Sequence, residues 1–414
     1  MAESYVIIGD GVAGSSAAET IREEDADAEI TVVTEEGEPL YNRILIKEFA
    51  KGKLPEAPLS IHEEGWYADR DIDLRLNTVV TQVDTGEKAI HTHEGEAIDY
   101  DKLLLTVGGT PAQLPVENSD ADGVHHFWTF QDARRIADHA SEAERGVIVG
   151  AGLLGIDFAA ICGAQGVEAD YLMRGECWWR YALSPEGAEI IHEGMREKGV
   201  TPRFDSGVER FETDDNGRLV AAIDGSGERY EAEFAGVAIG LSFNTELLDG
   251  AGIETDDGIL VDEHMQTNRK DVYAAGDVTR FHDVILGERT QNGSWGSAKE
   301  QGSVAGMNMV NGHGTETFRW VSSYSITHFD FPFLSFGHPT IGDDAVERKY
   351  GDDEYRRLTF KDGKLIGGVL VGNLAPQSAY KSLMREERPV ADQTEVLLEE
   401  GVDVEDFDAP AQQQ

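Results

Sequence analysis

Cysteine is nearly absent: Cys162 and Cys177 are the two in 414 residues, and they form no CxxC. A disulfide framework is excluded, and no metal-ligand set is expected. Cys162 reads as a small core residue, and Cys177, beside Trp178 and Trp179, as an incidental loop thiol. Basic residues are also few, 35 against 79 acidic, for a net charge of −44. Such a surface repels nucleic acid and anionic membranes. No apolar run approaches the roughly 20 residues of a membrane span. The first strand starts within a few residues of Met1, so no signal peptide is expected and a cytoplasmic location is.

What remains is a globular composition, 40% hydrophobic, with enough chain for two or three domains. Three readings of the acidity compete: a basic docking partner, a disordered acidic protein, or adaptation to molar salt, which screens such a surface. The acids are spread along the whole chain, which favours salt adaptation.

Against this background two glycine turns stand out. Gly9-Asp10-Gly11-Val12-Ala13-Gly14 follows the apolar run Tyr5-Val6-Ile7-Ile8. Gly150-Ala151-Gly152-Leu153-Leu154-Gly155 follows Val147-Ile148-Val149. In a strand–turn–helix setting the first glycine permits the turn, the second lets backbone approach a pyrophosphate, and the third lets helix and strand touch. The helix start then offers free N–H groups to the phosphates. Two such turns imply two dinucleotides.

The first βαβ unit runs from about Tyr5 to Glu35, the acid placed to bind a ribose hydroxyl. Residues 72–115 read as short strands and turns, ending in Leu103-Leu104-Leu105-Thr106-Val107-Gly108-Gly109, an apolar strand that breaks beside a ligand. The second unit runs from Val147 to about Arg180, and further strands end near Val237-Ala238-Ile239-Gly240. Then comes Tyr273-Ala274-Ala275-Gly276-Asp277. Residues 320–385 read as a separate α+β piece, with strand-like runs at Arg356–Phe360 and Leu365–Val371 and with Phe331–Gly337 as core, and the chain beyond about 399 as a fraying acidic tail.

Both turns, the Thr106–Gly109 break and Tyr273–Asp277, in this order, resemble the pyridine nucleotide–disulfide oxidoreductase superfamily. The resemblance implies an α/β fold of two Rossmann-like dinucleotide-binding domains, the NAD(P) domain (116–244) inserted in the FAD domain (1–115 and 245–318). A small α+β C-terminal domain (319–390), a possible dimer interface, and a tail (391–414) follow. It assigns FAD to Gly9, Gly11, Val12, Ala13, Gly14, Glu35, Thr106, Gly108 and, at the ribitol, Gly276 and Asp277. NAD(P)H falls to Gly150, Gly152, Leu153, Leu154, Gly155 and Gly240.

Pro39–Leu45 is similar to the rubredoxin reductase, ferredoxin reductase and nitrite reductase flavin-subunit branch, which puts Arg43 on phosphate. That branch pairs a flavin-side lysine with a glutamate. Lys47, one residue short in spacing, and Asp157, one methylene shorter, occupy those places, and the alternative is an ordinary surface pair. Trp295–Gly302 is similar to the family helix whose N-terminus faces the flavin. Trp295 and Ala298 are assigned there, with helix packing as the alternative for Trp295.

Two departures refine the reading. Residues 36–60 hold no cysteine, so disulfide or peroxide reduction through a flavin-adjacent thiol is unsupported, and electrons leave the flavin directly. In the second unit the strand-end position of an NAD-binding acid holds Met173, followed by Arg174 and Arg180. This Arg-x5-Arg resembles the 2′-phosphate clamp of glutathione reductases and favours NADPH, while Glu176 on the ribose is the NADH alternative. The expected function is an FAD-dependent NAD(P)H oxidoreductase feeding a small ferredoxin- or rubredoxin-type carrier or a small acceptor. The alternatives are an oxidase using dioxygen and a slow redox-responsive binding protein.

Overall fold

A computed structural model describes residues 2–243 and 245–407. It divides into two compact units. The first comprises Met1–Asn42, Ala57–Thr110 and Ser242–Ser322; the second comprises Arg43–Glu56, Pro111–Leu241 and Ser323–Gln414.

The first unit is built on a five-stranded parallel sheet, in the order Val272–Ala274, Lys102–Leu105, Ser4–Ile8, Glu29–Val33, Ile72–Arg75. Ile7 sits between Val32 and Leu104. All three are fully buried, as continuous apolar strands must be when both sheet faces are covered. Helix Val12–Glu24 follows the central strand and buries Ala13, Ala17, Ala18 and Ile21. Helix Trp295–Asn311 lies on it nearly backbone to backbone: a Cβ at Gly302 would fall 2.1 Å from the Ala13 carbonyl oxygen. The short strands read in residues 72–115 include an antiparallel sheet of Val80–Asp84, Ala89–Thr92 and Ala97–Asp99.

The second unit repeats the plan. Its parallel sheet runs Val200–Arg203, Glu168–Leu172, Arg145–Val149, Phe234–Val237, Val124–His125. Helix Leu153–Gln165 follows the central strand and is buried through Phe158 and Ile161. A five-stranded antiparallel sheet completes the unit: Ser323–His328, Phe331–Gly337, Lys364–Val371, Glu354–Lys361, Asp344–Tyr350, followed by helix Gln377–Arg385. Phe333, Leu334 and Phe336 belong to the core. The architecture is the expected α/β class with two Rossmann-like folds and a small α+β element.

Two local expectations change. Cys177 lies in a loop as expected but is buried there, as is Trp178 beside it. The chain does not fray at 399: Val402 and Phe407 are buried, and the buried Arg356 guanidinium donates to the Glu399 carbonyl at 2.7 Å. Residues 408–414 of the expected tail lie outside the described residues. Among the described residues no helix is long and apolar enough to cross a membrane.

Candidate functional site

Each unit carries one glycine turn, and the two share a geometry. Gly9 and Gly150 have φ of +109° and +111°, a region open to glycine at little cost. A Cβ at Gly14 would lie 2.0 Å from the Gly9 carbonyl oxygen, and one at Gly155 would lie 2.0 Å from that of Gly150. At Gly11 and Gly152 a Cβ would meet nothing within 4 Å. The first and third glycines are therefore required by the chain itself, while the middle one faces open space. A hydroxyl braces each turn from below. Thr106 Oγ1 donates to the carbonyls of Ile8 and Gly9 at 2.9 and 3.0 Å. Tyr171 donates to the Gly150 carbonyl at 2.8 Å.

The helix ends fit a phosphate. Helices Phe130–Ala140, Pro185–Glu197 and Trp295–Asn311 are capped by the side chains of Thr129, Ser184 and Ser294. The helices after Gly11 and Gly152 have no side-chain cap. Their first N–H groups are left for an external acceptor, with the positive end of the helix dipole behind them.

In the first unit Gly276 and Ala298 are brought against that turn. Gly276, at φ +87°, would place a Cβ 3.3 Å from the Ala13 side chain and 3.9 Å from Ala298. Its N–H donates to Gln301 Oε1 at 2.7 Å. Gln301 Nε2 and Ser297 Oγ are buried with no hydrogen-bond partner among the described residues, as polar atoms facing a bound group would be. Val12 is half-buried beside the turn, and Glu35 is exposed just beyond strand Glu29–Val33. Gly108, at φ +59°, is sterically open. Asp277 is half-buried, and Trp295 opens its helix. These residues fit FAD.

One feature of this turn escaped the sequence. Asp10 is buried, accepting from the Tyr67 hydroxyl at 2.7 Å and from the Leu40 N–H at 3.0 Å. Burial pushes its carboxyl up to about 7, against those two donors and with a small contribution from Glu36. A carboxyl raised from 3.8 to about 7 binds a proton in the folded protein that the unfolded chain has lost. Its contribution to stability therefore falls as pH rises through that window. Asp10→Asn, with its amide oxygen facing Tyr67 and Leu40, should flatten this dependence and gain about 1–3 kcal/mol above neutrality. Thermal unfolding of both proteins across pH checks it, and parallel curves would contradict it.

In the second unit the segment after strand Glu168–Leu172 folds back onto the turn. Trp178 Nε1 donates to the Gly152 carbonyl at 3.3 Å, and the Trp179 N–H donates to that of Ala151 at 3.1 Å. Neither tryptophan was singled out from sequence for this role. Leu153 and Leu154 are half-buried in the first helical turn. Gly240, at φ +118°, is sterically open, and its carbonyl accepts from the Ala112 N–H at 3.0 Å. Arg174 and Arg180 come together, Arg180 Nη1 lying 3.5 Å from the Arg174 carbonyl. Both are exposed and neither pairs with a carboxylate among the described residues. Glu176 between them is exposed, and Met173 is fully buried. Arg43 donates to the Trp128 carbonyl at 2.8 Å, its guanidinium 5.5 Å from that ring.

Lys47, on helix Ile46–Ala50, and Asp157, on helix Leu153–Gln165, are brought together at 3.4 Å, both almost wholly buried. The pair is not the surface contact that was the alternative. Burial raises the Asp157 carboxyl, but the His328 hydrogen bond and the charges of Lys47 and Lys51 hold it below the usual carboxylate range. The two cysteines are poor nucleophiles: burial pushes the Cys162 thiol up to about 12 and raises that of Cys177. No cluster able to hold a metal occurs among the described residues.

Comparison with known proteins agrees with this geometry. Residues 3–302 match the pyridine nucleotide-disulphide oxidoreductase family, and residues 325–388 match the rubredoxin NAD+ reductase C-terminal domain. The ferredoxin–NAD(+) reductase component of the 3-phenylpropionate/cinnamic acid dioxygenase of Photorhabdus laumondii is 27% identical over 74% of the chain and 78% of its own length. The nitrite reductase [NAD(P)H] of Bacillus subtilis is 24% identical over 96% of the chain, which spans about half (49%) of that relative. The fold superposes on the covalent putidaredoxin reductase–putidaredoxin complex with a TM-score of 0.91 at 23% identity, covering 98% of this chain and 97% of that one. The chain belongs to the pyridine nucleotide–disulphide oxidoreductase family and is an FAD-dependent NAD(P)H oxidoreductase.

Proposed function

We propose that the protein takes hydride from NADPH, in preference to NADH, and delivers electrons to a small carrier protein of the ferredoxin or rubredoxin type. The observation that carries this is the pair of uncapped helix ends, each above an open middle glycine. FAD, when bound, accepts the two electrons of a hydride together and releases them singly. The helix end at Gly11–Gly14 binds its pyrophosphate, Glu35 its ribose, and Asp277 its ribitol hydroxyls. Thr106, Gly108, Gly276 and Ala298 shape the surrounding backbone. The helix end at Gly152–Gly155 binds the nicotinamide dinucleotide. Direct delivery from the flavin, with no thiol relay, is supported by two buried, raised thiols and a cysteine-free stretch at 36–60. The relative in Photorhabdus laumondii is named for ferredoxin and NAD+; ferredoxin supports the carrier, and the coenzyme is where this chain is proposed to differ.

The NADPH preference rests on Arg174 and Arg180, two exposed guanidinium groups that form no ion pair among the described residues, with Arg180 donating to the Tyr181 hydroxyl at 2.9 Å and Asp205 nearby. A phosphate dianion suits them. The charge of −44 suits a salt-rich cytosol, where screening removes much of the repulsion between acidic partners. The test is an anaerobic titration of the flavin band in molar KCl. NADPH should bleach it at lower concentration than NADH. Arg174→Ala with Arg180→Ala should raise the NADPH requirement about 10-fold while leaving NADH nearly unchanged. Preferential bleaching by NADH would assign the ribose to Glu176 instead.

A further inference from the structure

Asp157 has a second partner, and that partner has a second partner of its own. His328 ends strand Ser323–His328, and its Nε2 lies 2.7 Å from Asp157 Oδ1. Its Nδ1 lies 3.2 Å from Lys51 Nζ, and Lys51 lies 2.7 Å from Glu48 Oε1. His328 and Lys51 are each 5% exposed. The chemistry of the partners fixes the proton. An ionised carboxylate only accepts, so Nε2 carries the hydrogen; Nδ1 is then the acceptor, and Lys51 donates to it. The donors run in one direction, Lys51 to His328 to Asp157, and Lys47 approaches the same oxygen. Tyr324, from the same strand as His328, reaches Asp157 Oδ2 at 3.4 Å.

We propose that His328, held by Lys51 as the neutral Nε2–H tautomer, is a positioning residue for hydride transfer that fixes the Asp157 carboxylate on Lys47. The proposal rests on the hydride step proposed above and on the flavin-side place that the resemblance gives Lys47 and Asp157, and it adds His328 and Lys51 to that pair. All of these groups lie in the unit that carries the second glycine turn, and Asp157 stands on the helix which that turn begins.

The groups facing Asp157 are Lys47 and Lys51 from helix Ile46–Ala50 and its cap, His328 and Tyr324 from the antiparallel sheet, and Tyr171 from the parallel sheet. Burial lowers His328 most; Asp157 opposes this, and Lys51 and Lys47 add to it. The ring is therefore neutral near pH 7 and serves as a donor by tautomer rather than by charge. Without that donor Asp157 protonates at a higher pH.

The experiment is anaerobic rapid mixing of the FAD-loaded protein with NADPH, and with NADH, from about pH 5 to 9. In His328→Ala the limiting rate of flavin bleaching should fall about 10- to 100-fold, with half-saturation changed less than about 3-fold. The acid limb of the profile should move to higher pH. His328→Gln, whose amide still donates to Asp157, should recover most of the rate and return the acid limb. Lys51→Met, which frees the tautomer, should give an intermediate loss, and it decides the matter with His328→Gln if His328→Ala does not fold. A wild-type rate and acid limb in His328→Ala overturn the proposal. So does a loss that His328→Gln leaves uncorrected with the acid limb unmoved, which is the mark of packing alone. Failure of the wild-type protein to bleach with either nucleotide is a separate result, and it overturns the hydride reading itself.

Discussion

Gly14→Val should yield a colourless protein. A Cβ at this position lies 2.0 Å from the Gly9 carbonyl oxygen and 2.8 Å from Thr106 Oγ1. Its place is set by the backbone, so no rotamer relieves the contact. The turn must open, and Thr106 then loses its bonds to Ile8 and Gly9. Overpacking of this kind costs about 1–3 kcal/mol or more, and the helix end is carried away from the phosphates. Gly11→Ala separates the two effects. Gly11 has φ −72° and ψ 177°, which alanine adopts freely, and its Cβ meets no protein atom within 4 Å. That variant should keep the wild-type melting temperature and still lose flavin affinity, because the methyl occupies the space of the pyrophosphate. The flavin-to-protein absorbance ratio and the melting temperature check both. Full flavin content in both variants would show that FAD is not held on this turn.

The second large effect is the mirror image. Gly155→Val should give a yellow protein that neither nucleotide bleaches but dithionite does. A Cβ here falls 2.0 Å from the Gly150 carbonyl oxygen and 2.3 Å from the Tyr171 hydroxyl, the two atoms joined by the brace beneath the turn. The damage is confined to the second turn, so flavin should stay while nucleotide affinity falls by about 100-fold or more, the equivalent of about 3 kcal/mol. Anaerobic titration with NADPH and NADH measures it. Normal bleaching would detach the nicotinamide nucleotide from Gly152–Gly155.

The two glycine turns were readable because their chemistry is local. Each needs a strand, three glycines at fixed spacing and a helix, and all of that lies within a dozen residues. The C-terminal strands were legible for the same reason: Arg356–Phe360 and Leu365–Val371 are β-rich runs broken by a turn, and they pair as adjacent strands. The pairing of Lys47 with Asp157 followed from resemblance rather than pattern, since nothing in the spacing of two isolated charges brings them together.

What stayed hidden depends on distant chain. His328 is 171 residues from Asp157, and Tyr67 is 57 from Asp10. A histidine at the end of a strand carries no mark of the carboxylate it will meet. Trp178 and Trp179 looked like loop residues because the segment lacks periodicity, yet packing turns them back onto Ala151 and Gly152. Phe407 resembled part of an acidic tail until Arg388 and Arg356 tied that segment down.

By itself the sequence determined the two dinucleotide turns, the absence of a redox cysteine between 36 and 60, and the acidity of the surface, because each is set by residue type at short range. The tertiary structure alone decided which charges share a buried space, which proton His328 carries, and that both thiols are sealed. Those properties arise from desolvation and from long-range neighbours, which only the packed chain supplies.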